Sequence, residues 1–343
     1  MESQIAVTRR LPAEWEPQSA VQLTLPHAGT DWAGLLDEVM PCFIQIAETI
    51  SRFEKVLLVC RNAGEIRRML QHAVPENLLF AELPSNDTWA RDHGGITIEE
   101  NGRPVVLDFM FNGWGLKFAA DLDNRITRAL CDGGFLRAAH RYPGLVLEGG
   151  GIESDGQGTL LTTAECLLSP NRNPHLSQAR TEERLRDLFG LQRVLWLHHG
   201  FLAGDDTDSH IDTLARFCAP DTIAYVRCDR PDDAHYGALK AMEAEMQRFR
   251  TLDGRPYRLA PLPWPDPCFA GDGHRLPATY ANFLIINGAV LVPTYNVRQD
   301  DDAVQIVSRL FPGRQVIGID CRPLILQHGS LHCITMQYPA GVV

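Results

Sequence analysis

The sequence lacks the patterns that mark several common protein classes. Its 343 residues include nine cysteines but no CxxC pair, so neither a disulfide framework nor a cysteine-rich zinc site is indicated. Residues 1–17 contain no apolar core of a secretory signal, and the Arg9-Arg10 pair is followed by polar residues and proline. These absences predict a cytoplasmic protein with reduced thiols.

Long apolar runs and an excess of positive charge are missing as well. The longest apolar stretch, 280–295, is interrupted by Asn and Gly and is shorter than the ~20 residues that a membrane span requires. The formal net charge is −11, which argues against nucleic acid and anionic membranes as partners and is compatible with a small cationic substrate.

Motifs for phosphate, dinucleotide and zinc binding are also absent. The chain contains no GxxxxGK[ST], no GxGxxG and no HExxH. One region is dense in potential metal ligands, namely His198, His199, Asp205, Asp206, His210 and Asp212. Because no zinc-site spacing is present among them, this is only a weak indication of a metal site.

Strand-like and helix-like segments alternate, which predicts an α/β fold, and the lack of a linker predicts one domain over 1–343. Strands are predicted at 20–25, 55–60, 144–149, 193–197, 222–228, 282–288, 289–295 and 315–320. Helices are predicted at 32–53, 63–73, 123–133, 175–190, 236–249 and 301–311, with Gly190 and Gly313 as stop signals.

A weak five-fold rhythm accompanies this alternation. Turns rich in glycine or acidic residues recur near 26–31, 92–95, 148–151, 204–212 and 327–333. Five strand-and-helix units of this kind could close around an axis. Their turns would then converge on one central site.

Cys333 is the candidate nucleophile of that site. A lone cysteine is most often a core residue, but this one follows the Gly329-Ser330 turn and adjoins His332. Adjacent residues of an extended chain point to opposite faces. We therefore expect the base that activates the thiol to come from elsewhere in the chain.

His210 and Asp212 are the candidates for that role. At spacing i, i+2 they share a face if the segment is extended, and they lead directly into the apolar run 214–219. A histidine at a core edge suits general acid–base work. The preceding Asp205 and Asp206 are equally compatible with a solvated acidic loop.

Two further carboxylates, Asp92 and Glu148, each stand beside a glycine run that permits a tight turn or a close approach to a ligand. Trp89 and Trp114 are either core residues or stacking surfaces for a cation. A thiol, an imidazole and three carboxylates suit a cationic carbon electrophile. The guanidinium group fits this set, because it is planar, charged and complementary to paired carboxylates.

The chain resembles the agmatine deiminase family, relatives of the bacterial-type peptidylarginine deiminases. The segments that carry the resemblance run in order along the chain and are EWEPQSAVQLTLPH (14–27), TWARDHGG (88–95), EGGGIESDGQGTLLTTAECLLSPNRNP (148–174), TDSHID (207–212) and LHCITMQYP (331–339). The resemblance implies the pentein fold, a five-bladed pseudo-symmetric α/β-propeller, and hydrolysis of agmatine to N-carbamoylputrescine and ammonia.

The resemblance also implies roles for the candidate residues. Cys333 would be the nucleophile and His210 the general acid/base, while Asp92 and Asp212 would hold the guanidinium nitrogens and Glu148 would belong to the same site. Trp89 and Trp114 would contact the substrate. No metal or organic cofactor is implied, and a homo-oligomer is compatible with the sequence.

Departures from the family pattern fall at Gly95, Asp206, Ser209 and His328, where the substrate tail or loop closure would be recognised. Four alternatives therefore stay open. They are deimination of another guanidino substrate, deimination of peptidylarginine, amidino transfer to an amine, and a non-catalytic guanidine-binding module.

Overall fold

The structure, a computed structural model, describes residues 7–343. Its strands are β1 (Arg9–Arg10), β2 (Gln18–Thr24), β3 (Lys55–Cys60), β4 (Leu78–Glu82), β5 (Ile96–Glu100), β6 (Arg103–Leu107), β7 (Ala139–Arg141), β8 (Ile152–Ser154), β9 (Thr159–Thr163), β10 (Arg193–Leu197), β11 (Ala215–Ala219), β12 (Thr222–Val226), β13 (Arg258–Leu262), β14 (Leu284–Ile286), β15 (Ala289–Thr294), β16 (Gln315–Asp320) and β17 (Thr335–Pro339).

Helices connect these strands, so the fold is α/β as the sequence predicts. The α-helices are α1 (Leu36–Ser51), α2 (Ala63–Met69), α3 (Ala90–His93), α4 (Gly113–Leu116), α5 (Ile126–Asp132), α6 (Ala164–Leu167), α7 (Gln178–Phe189), α8 (Tyr236–Met246), α9 (Asp300–Leu310) and α10 (Arg322–Ile325). Short 3₁₀ helices span Pro75–Asn77, Asp123–Arg125, Gly149–Gly151 and Ile211–Thr213.

The described strands form five small sheets that share one connection pattern. The strand orders are β1-β5-β6-β7, β10-β9-β8, β11-β12-β13, β14-β15-β16 and β17-β2-β3-β4. In each sheet an antiparallel pair is followed by a parallel neighbour, as in β8-β9-β10, β11-β12-β13 and β14-β15-β16. A parallel neighbour needs a crossover, and α7, α8 and α9 lie in three of these crossovers.

The last sheet joins the two ends of the chain. β17, near the C-terminus, pairs antiparallel with β2, near the N-terminus, and β2 pairs parallel with β3 through the crossover that contains α1. In this pairing Thr335 lies opposite Leu23 and Pro339 lies opposite Gln18, so the two ends of the chain meet in one sheet. The site described below depends on that closure.

Helix patterns explain the packing. In α1 the fully buried Val39, Phe43, Ile46 and Ile50 recur every three or four residues, which is the period of one helix face. In α7 the Ser177 side chain accepts a hydrogen bond from the backbone N–H of Arg180, and the helix ends at Gly190 with a φ of 67°.

The predicted segments differ from the structure in a few places. The strands predicted at 55–60, 193–197 and 315–320 have the predicted bounds, and Gly190 ends its helix as predicted. The strand predicted at 144–149 is wrong: only an isolated bridge at Val146 forms there before the 3₁₀ helix Gly149–Gly151 begins. Gly313 does not end α9, whose C-terminal cap is Phe311.

Within residues 7–343, no helix combines the length and the apolar character that crossing a bilayer would require.

Candidate active site

Four of the predicted site residues, Trp89, Asp92, Trp114 and Cys333, line one pocket of about 140 Å³, whereas His210, Asp212 and Glu148 are not among its lining residues. Its walls come from several of the recurring turns named above, as the convergence hypothesis predicts. The lining residues are Asp31, Asp87, Trp89, Asp92, Trp114, Phe118, Asp205, Asp206, Thr207, Thr213, Gln327, His328, Gly329 and Cys333. Five of them are aspartates and none is a lysine or arginine, so the pocket favours a cation.

Cys333 lies in the turn between α10 and β17 and is 5% exposed. Its Sγ is 3.4 Å from Asn282 Oδ1 and 3.9 Å from Asp212 Oδ2, and its carbonyl oxygen accepts a hydrogen bond from the backbone N–H of Arg91. Burial raises the pKa of the thiol well above its usual value, and the Asp212 and Asp92 carboxylates raise it further. In the empty site the group is therefore a neutral thiol.

Neither His332 nor His210 is among the lining residues, so the expectation that the base is a residue other than His332 stays a prediction. The reason given from the sequence is wrong, however, because residues 331–334 form a turn rather than an extended strand. The His332 ring instead lies between the carboxylates of Asp212 and Glu14, with 2.7 Å from a ring nitrogen to each.

His210 and Asp212 also reach the site through a turn, since Asp212 lies in the 3₁₀ helix Ile211–Thr213. The extended geometry predicted for this pair is therefore wrong, although both side chains are buried in the cluster. His210 Nδ1 is 3.5 Å from Asp92 Oδ1, and neither ring nitrogen has a hydrogen-bond partner among the described residues. Burial lowers the pKa of His210 to about 3, so the free imidazole is neutral and able to accept a proton.

Asp92 lies in the short helix α3 and accepts two hydrogen bonds. Its Oδ2 accepts from the indole N–H of Trp114 at 2.9 Å, and its Oδ1 accepts from the backbone N–H of Gly150 at 3.0 Å. A Cβ at Gly150 would lie 2.5 Å from His210 Nδ1 and 2.8 Å from Asp92 Oδ1, so only glycine permits this approach. Burial raises the pKa of Asp92 well above its usual value, and the nearby Asp212 charge raises it further.

Glu148 lies behind His210 and is fully buried. Both of its carboxylate oxygens accept from the Nε–H of Arg172, at 2.8 and 3.0 Å. Burial raises the pKa of Glu148, and the Arg172 guanidinium opposes that rise. Glu148 is not among the residues that line the pocket.

The same region contains potential metal ligands. Glu148, Cys166 and His210 have ligand atoms within 4.8 Å of one another, but Arg172 already neutralises the carboxylate. The potential ligands between His198 and Asp212 do not all meet at one point, because the His199 ring contacts Glu245 instead. These contacts fit a site built from hydrogen bonds better than a metal centre.

The two tryptophans line the pocket walls with their N–H groups engaged. Trp89 donates to Asp87 Oδ2 at 3.0 Å and Trp114 donates to Asp92. Trp114 lies in the segment 113–116, in which every φ is positive, including 55° at Trp114 and 69° at Leu116. Non-glycine residues adopt this conformation at a cost of roughly 1–3 kcal/mol each, so surrounding contacts must hold the indole in place.

Asp205 and His328 are occupied by structural contacts. Asp205 accepts hydrogen bonds from the backbone N–H groups of Thr207 and Ser209, and His328 Nδ1 donates to the carbonyl of Gly204 at 2.6 Å. Asp206 is nearly half exposed at the rim, and its Oδ2 is 3.9 Å from His328 Nδ1.

Sequence reasoning missed three buried contributors, which are Glu14, Arg172 and Asn282. Glu14 and Arg172 both lie in segments that carried the family resemblance, and that position was the available signal. Asn282 stands at the edge of the apolar stretch 280–295, and its Oδ1 accepts from the backbone N–H groups of His332 and Cys333. A polar residue in an apolar run was the signal for it.

Comparisons with known proteins identify the family. The family model for Porphyromonas-type peptidyl-arginine deiminase matches residues 10–339. The agmatine deiminase of Pseudomonas aeruginosa (strain LESB58) is 35% identical to this chain, and the match covers 96% of the chain and 95% of that protein.

Solved structures of similar proteins superpose over nearly the whole chain. A provisionally named arginine deiminase from Porphyromonas gingivalis has a TM-score of 0.94 at 55% identity, covering 98% of this chain and all of that one. A Cys-to-Ser variant of C. jejuni agmatine deiminase with substrate bound has a TM-score of 0.93 at 37% identity, covering 99% and 98%. The chain therefore belongs to the family of Porphyromonas-type peptidyl-arginine deiminases.

Proposed function

We propose that this protein is an agmatine deiminase, a hydrolase of linear amidines that converts agmatine to N-carbamoylputrescine and ammonia. The observation that carries the proposal is the pocket that contains Cys333 and Asp92 and is lined by aspartates without a lysine or arginine. Agmatine has a guanidinium at one end and an ammonium at the other. An acidic pocket attracts both ends, whereas it repels the α-carboxylate of arginine.

We also propose that the five sheets are the blades of a five-bladed α/β-propeller, the pentein fold, in one catalytic domain over 1–343. The repeated antiparallel-then-parallel pattern and the pairing of β17 with β2 support this arrangement. A cytoplasmic location and a homo-oligomeric state stay predictions from the sequence, and so does the absence of a metal or organic cofactor.

In the proposed mechanism, Asp92 and Asp212 fix the plane of the guanidinium and keep its charge, so its carbon is electrophilic. The bound cation stabilises the thiolate, and the thiol proton of Cys333 passes to the neutral His210. The sulfur attacks the carbon to give a tetrahedral adduct. The C–N bond then breaks, and His210 gives its proton to the departing nitrogen, which leaves as ammonia.

A covalent thiouronium on Cys333 remains. The oxygen of a water molecule then bonds to the same carbon, and the water gives one proton to His210. This new C–O bond is the one found in the urea product. The S–C bond breaks, the sulfur recovers its proton from His210, and the remaining hydroxyl proton passes to solvent as the C=O bond of the urea forms. One guanidinium cation and one water thus give one neutral urea, one ammonia and one proton, without a redox step.

Substrate choice tests the proposal. Purified protein is expected to form ureido product and ammonia from agmatine with a kcat/KM roughly 10- to 100-fold above that for arginine, because like charges would repel the arginine carboxylate. An arginyl peptide should be still poorer. Replacing the rim carboxylate Asp206 with Asn should narrow the preference for agmatine over arginine.

Deimination of free arginine is the second candidate, because the P. gingivalis relative named for arginine is 55% identical, against 35–37% for the agmatine deiminases. Equal or better turnover of arginine would favour it over agmatine. An added amine acceptor tests amidino transfer in the same assay.

Binding of substrate is expected to release a proton. Burial, together with the nearby carboxylates, raises the pKa of Asp92 well above its usual value, so its carboxyl keeps its proton to a higher pH than a free aspartate does. A bound guanidinium favours the ionised carboxylate and lowers that pKa. Since the complex then holds fewer protons than the free protein, affinity should increase as pH rises through the raised pKa.

Calorimetry of the Cys333→Ser variant with agmatine, in two buffers of different ionisation enthalpy, measures this proton count. The count should fall to near zero when Asp92→Asn is added. It should be unchanged with Asp108→Asn, a buried carboxyl outside the pocket whose pKa burial raises to about 6. Proton uptake, or the same release without Asp92, would contradict the assignment.

A further inference from the structure

His332 has no assigned part in the proposed reaction, yet its ring is almost completely buried between two carboxylates. Nδ1 is 2.7 Å from Asp212 Oδ2, and Nε2 is 2.7 Å from Glu14 Oε2. Burial alone would raise the pKa of both carboxyls, but nearby cationic groups and hydrogen bonds outweigh it and lower both. Each ring nitrogen is therefore within hydrogen-bond distance of one carboxylate.

This contact determines which oxygen of Asp212 faces the pocket. Oδ2 is taken by His332 and lies 3.9 Å from the Cys333 sulfur, whereas Oδ1 is buried without a partner among the described residues. A buried carboxylate oxygen without a partner is unfavourable. Oδ1 is thus left available for a guanidinium N–H, and the ring prevents the carboxylate from rotating away.

Several charged or ionisable groups face His332 and Asp212. They are the carboxylates of Glu14, Glu153 and Asp92, the guanidinium groups of Arg91 and Arg216, the His210 ring and the Cys333 thiol. Arg216 donates to Glu14 at 2.8 Å and to Glu153 at 3.1 Å. Arg216 is therefore committed to other carboxylates, and His332 is the side chain that directly contacts the Asp212 carboxylate.

We propose that His332 is a positioning residue that keeps Asp212 ionised and oriented, with Glu14 as the carboxylate that anchors its far nitrogen. It acts through Asp212 and does not touch the substrate. The inference rests on the proposed function, in which Asp212 holds the guanidinium whose carbon Cys333 attacks.

The test compares His332→Asn with the wild-type protein. The Asn amide can still donate a hydrogen bond toward Asp212, but it carries no charge and does not reach Glu14. The acid limb of the pH profile of kcat/KM should move to higher pH by about one unit or more, and KM for agmatine should rise roughly tenfold or more with a smaller change in kcat. A matched control is His235→Asn, because His235 is equally buried and bonds Asp233 at 2.7 Å outside the pocket.

The second readout needs no turnover. Alkylation of Cys333 by 2-chloroacetamidine, a cation, is compared with alkylation by 2-chloroacetamide, its neutral counterpart of similar size. The wild-type protein should react faster with the amidine, and His332→Asn should lose most of that preference. Loss of the preference would support the inference even if agmatine proved inert, in which case only the proposed substrate would fail.

An unchanged amidine preference and an unchanged acid limb in His332→Asn, with only a lower melting temperature, would overturn the inference and leave His332 a structural residue. If the variant does not fold, histidine nitrogen NMR of the wild-type protein decides the point. A His332 ring that is hydrogen-bonded at both nitrogens, to Asp212 and to Glu14, would support the inference, and a ring without the bond to Asp212 would overturn it.

Discussion

Replacing Cys333 with alanine is expected to reduce turnover of agmatine by roughly 10⁴-fold or more while leaving substrate binding measurable. Removing a nucleophile from a site that acts as a unit has effects of about this size. The guanidinium contacts of Asp92 and Asp212 do not involve the sulfur, so affinity should change far less than kcat. Steady-state kinetics and calorimetric binding, performed on the same preparation, separate these two quantities.

The matched control is Cys131→Ala, because Cys131 is a free, half-buried thiol in α5 outside the pocket. It should retain wild-type kcat. Intact turnover in Cys333→Ala would eliminate the thiouronium mechanism. If the wild-type protein turns over no guanidine and its Cys333 is alkylated no faster than other thiols, the chain is better described as a guanidine-binding module.

The strands could be predicted best where hydropathy alone marks them. β3 has the predicted bounds because Lys55–Cys60 is a continuous apolar run that is buried almost throughout. β9 was missed because Thr159–Thr163 is mostly threonine, although all five residues are buried. Neighbouring strands and hydrogen bonds, rather than hydropathy, bury such a segment, and a single sequence does not display them.

The site could be predicted in its residue types but not in its geometry. Cys333, His210 and Asp92 were identified from chemistry and resemblance, and the structure brings them to one cluster. The tight turns that orient them were not foreseen, because extended spacing was the simplest geometry for an i, i+2 pair. Glu14 was missed because its contact with His332 spans 318 positions, and a local sequence pattern does not reveal a contact between residues so far apart.

Replacing Asp92 with asparagine is expected to lower kcat/KM for agmatine by roughly 10²–10⁴-fold, which corresponds to about 3–5 kcal/mol for removing one partner of a buried charge pair. The effect has two sources. The variant loses the negative charge that faces the guanidinium. It also introduces an amide NH₂ where the site offers donors, since the present carboxylate accepts from both Trp114 Nε1 and Gly150 N.

The amide NH₂ that asparagine places beside these two N–H donors makes the prediction specific to this geometry. Whichever way the amide is turned, its nitrogen faces either the Trp114 or the Gly150 N–H, so a buried donor is left without an acceptor. We therefore expect Trp114 to loosen, which tryptophan fluorescence would report as increased quencher access. Asp108→Asn provides the control, since it alters a buried carboxyl outside the pocket. An Asp92→Asn protein with wild-type kcat/KM would show that Asp92 does not hold the guanidinium and that the acidic pocket serves another ligand.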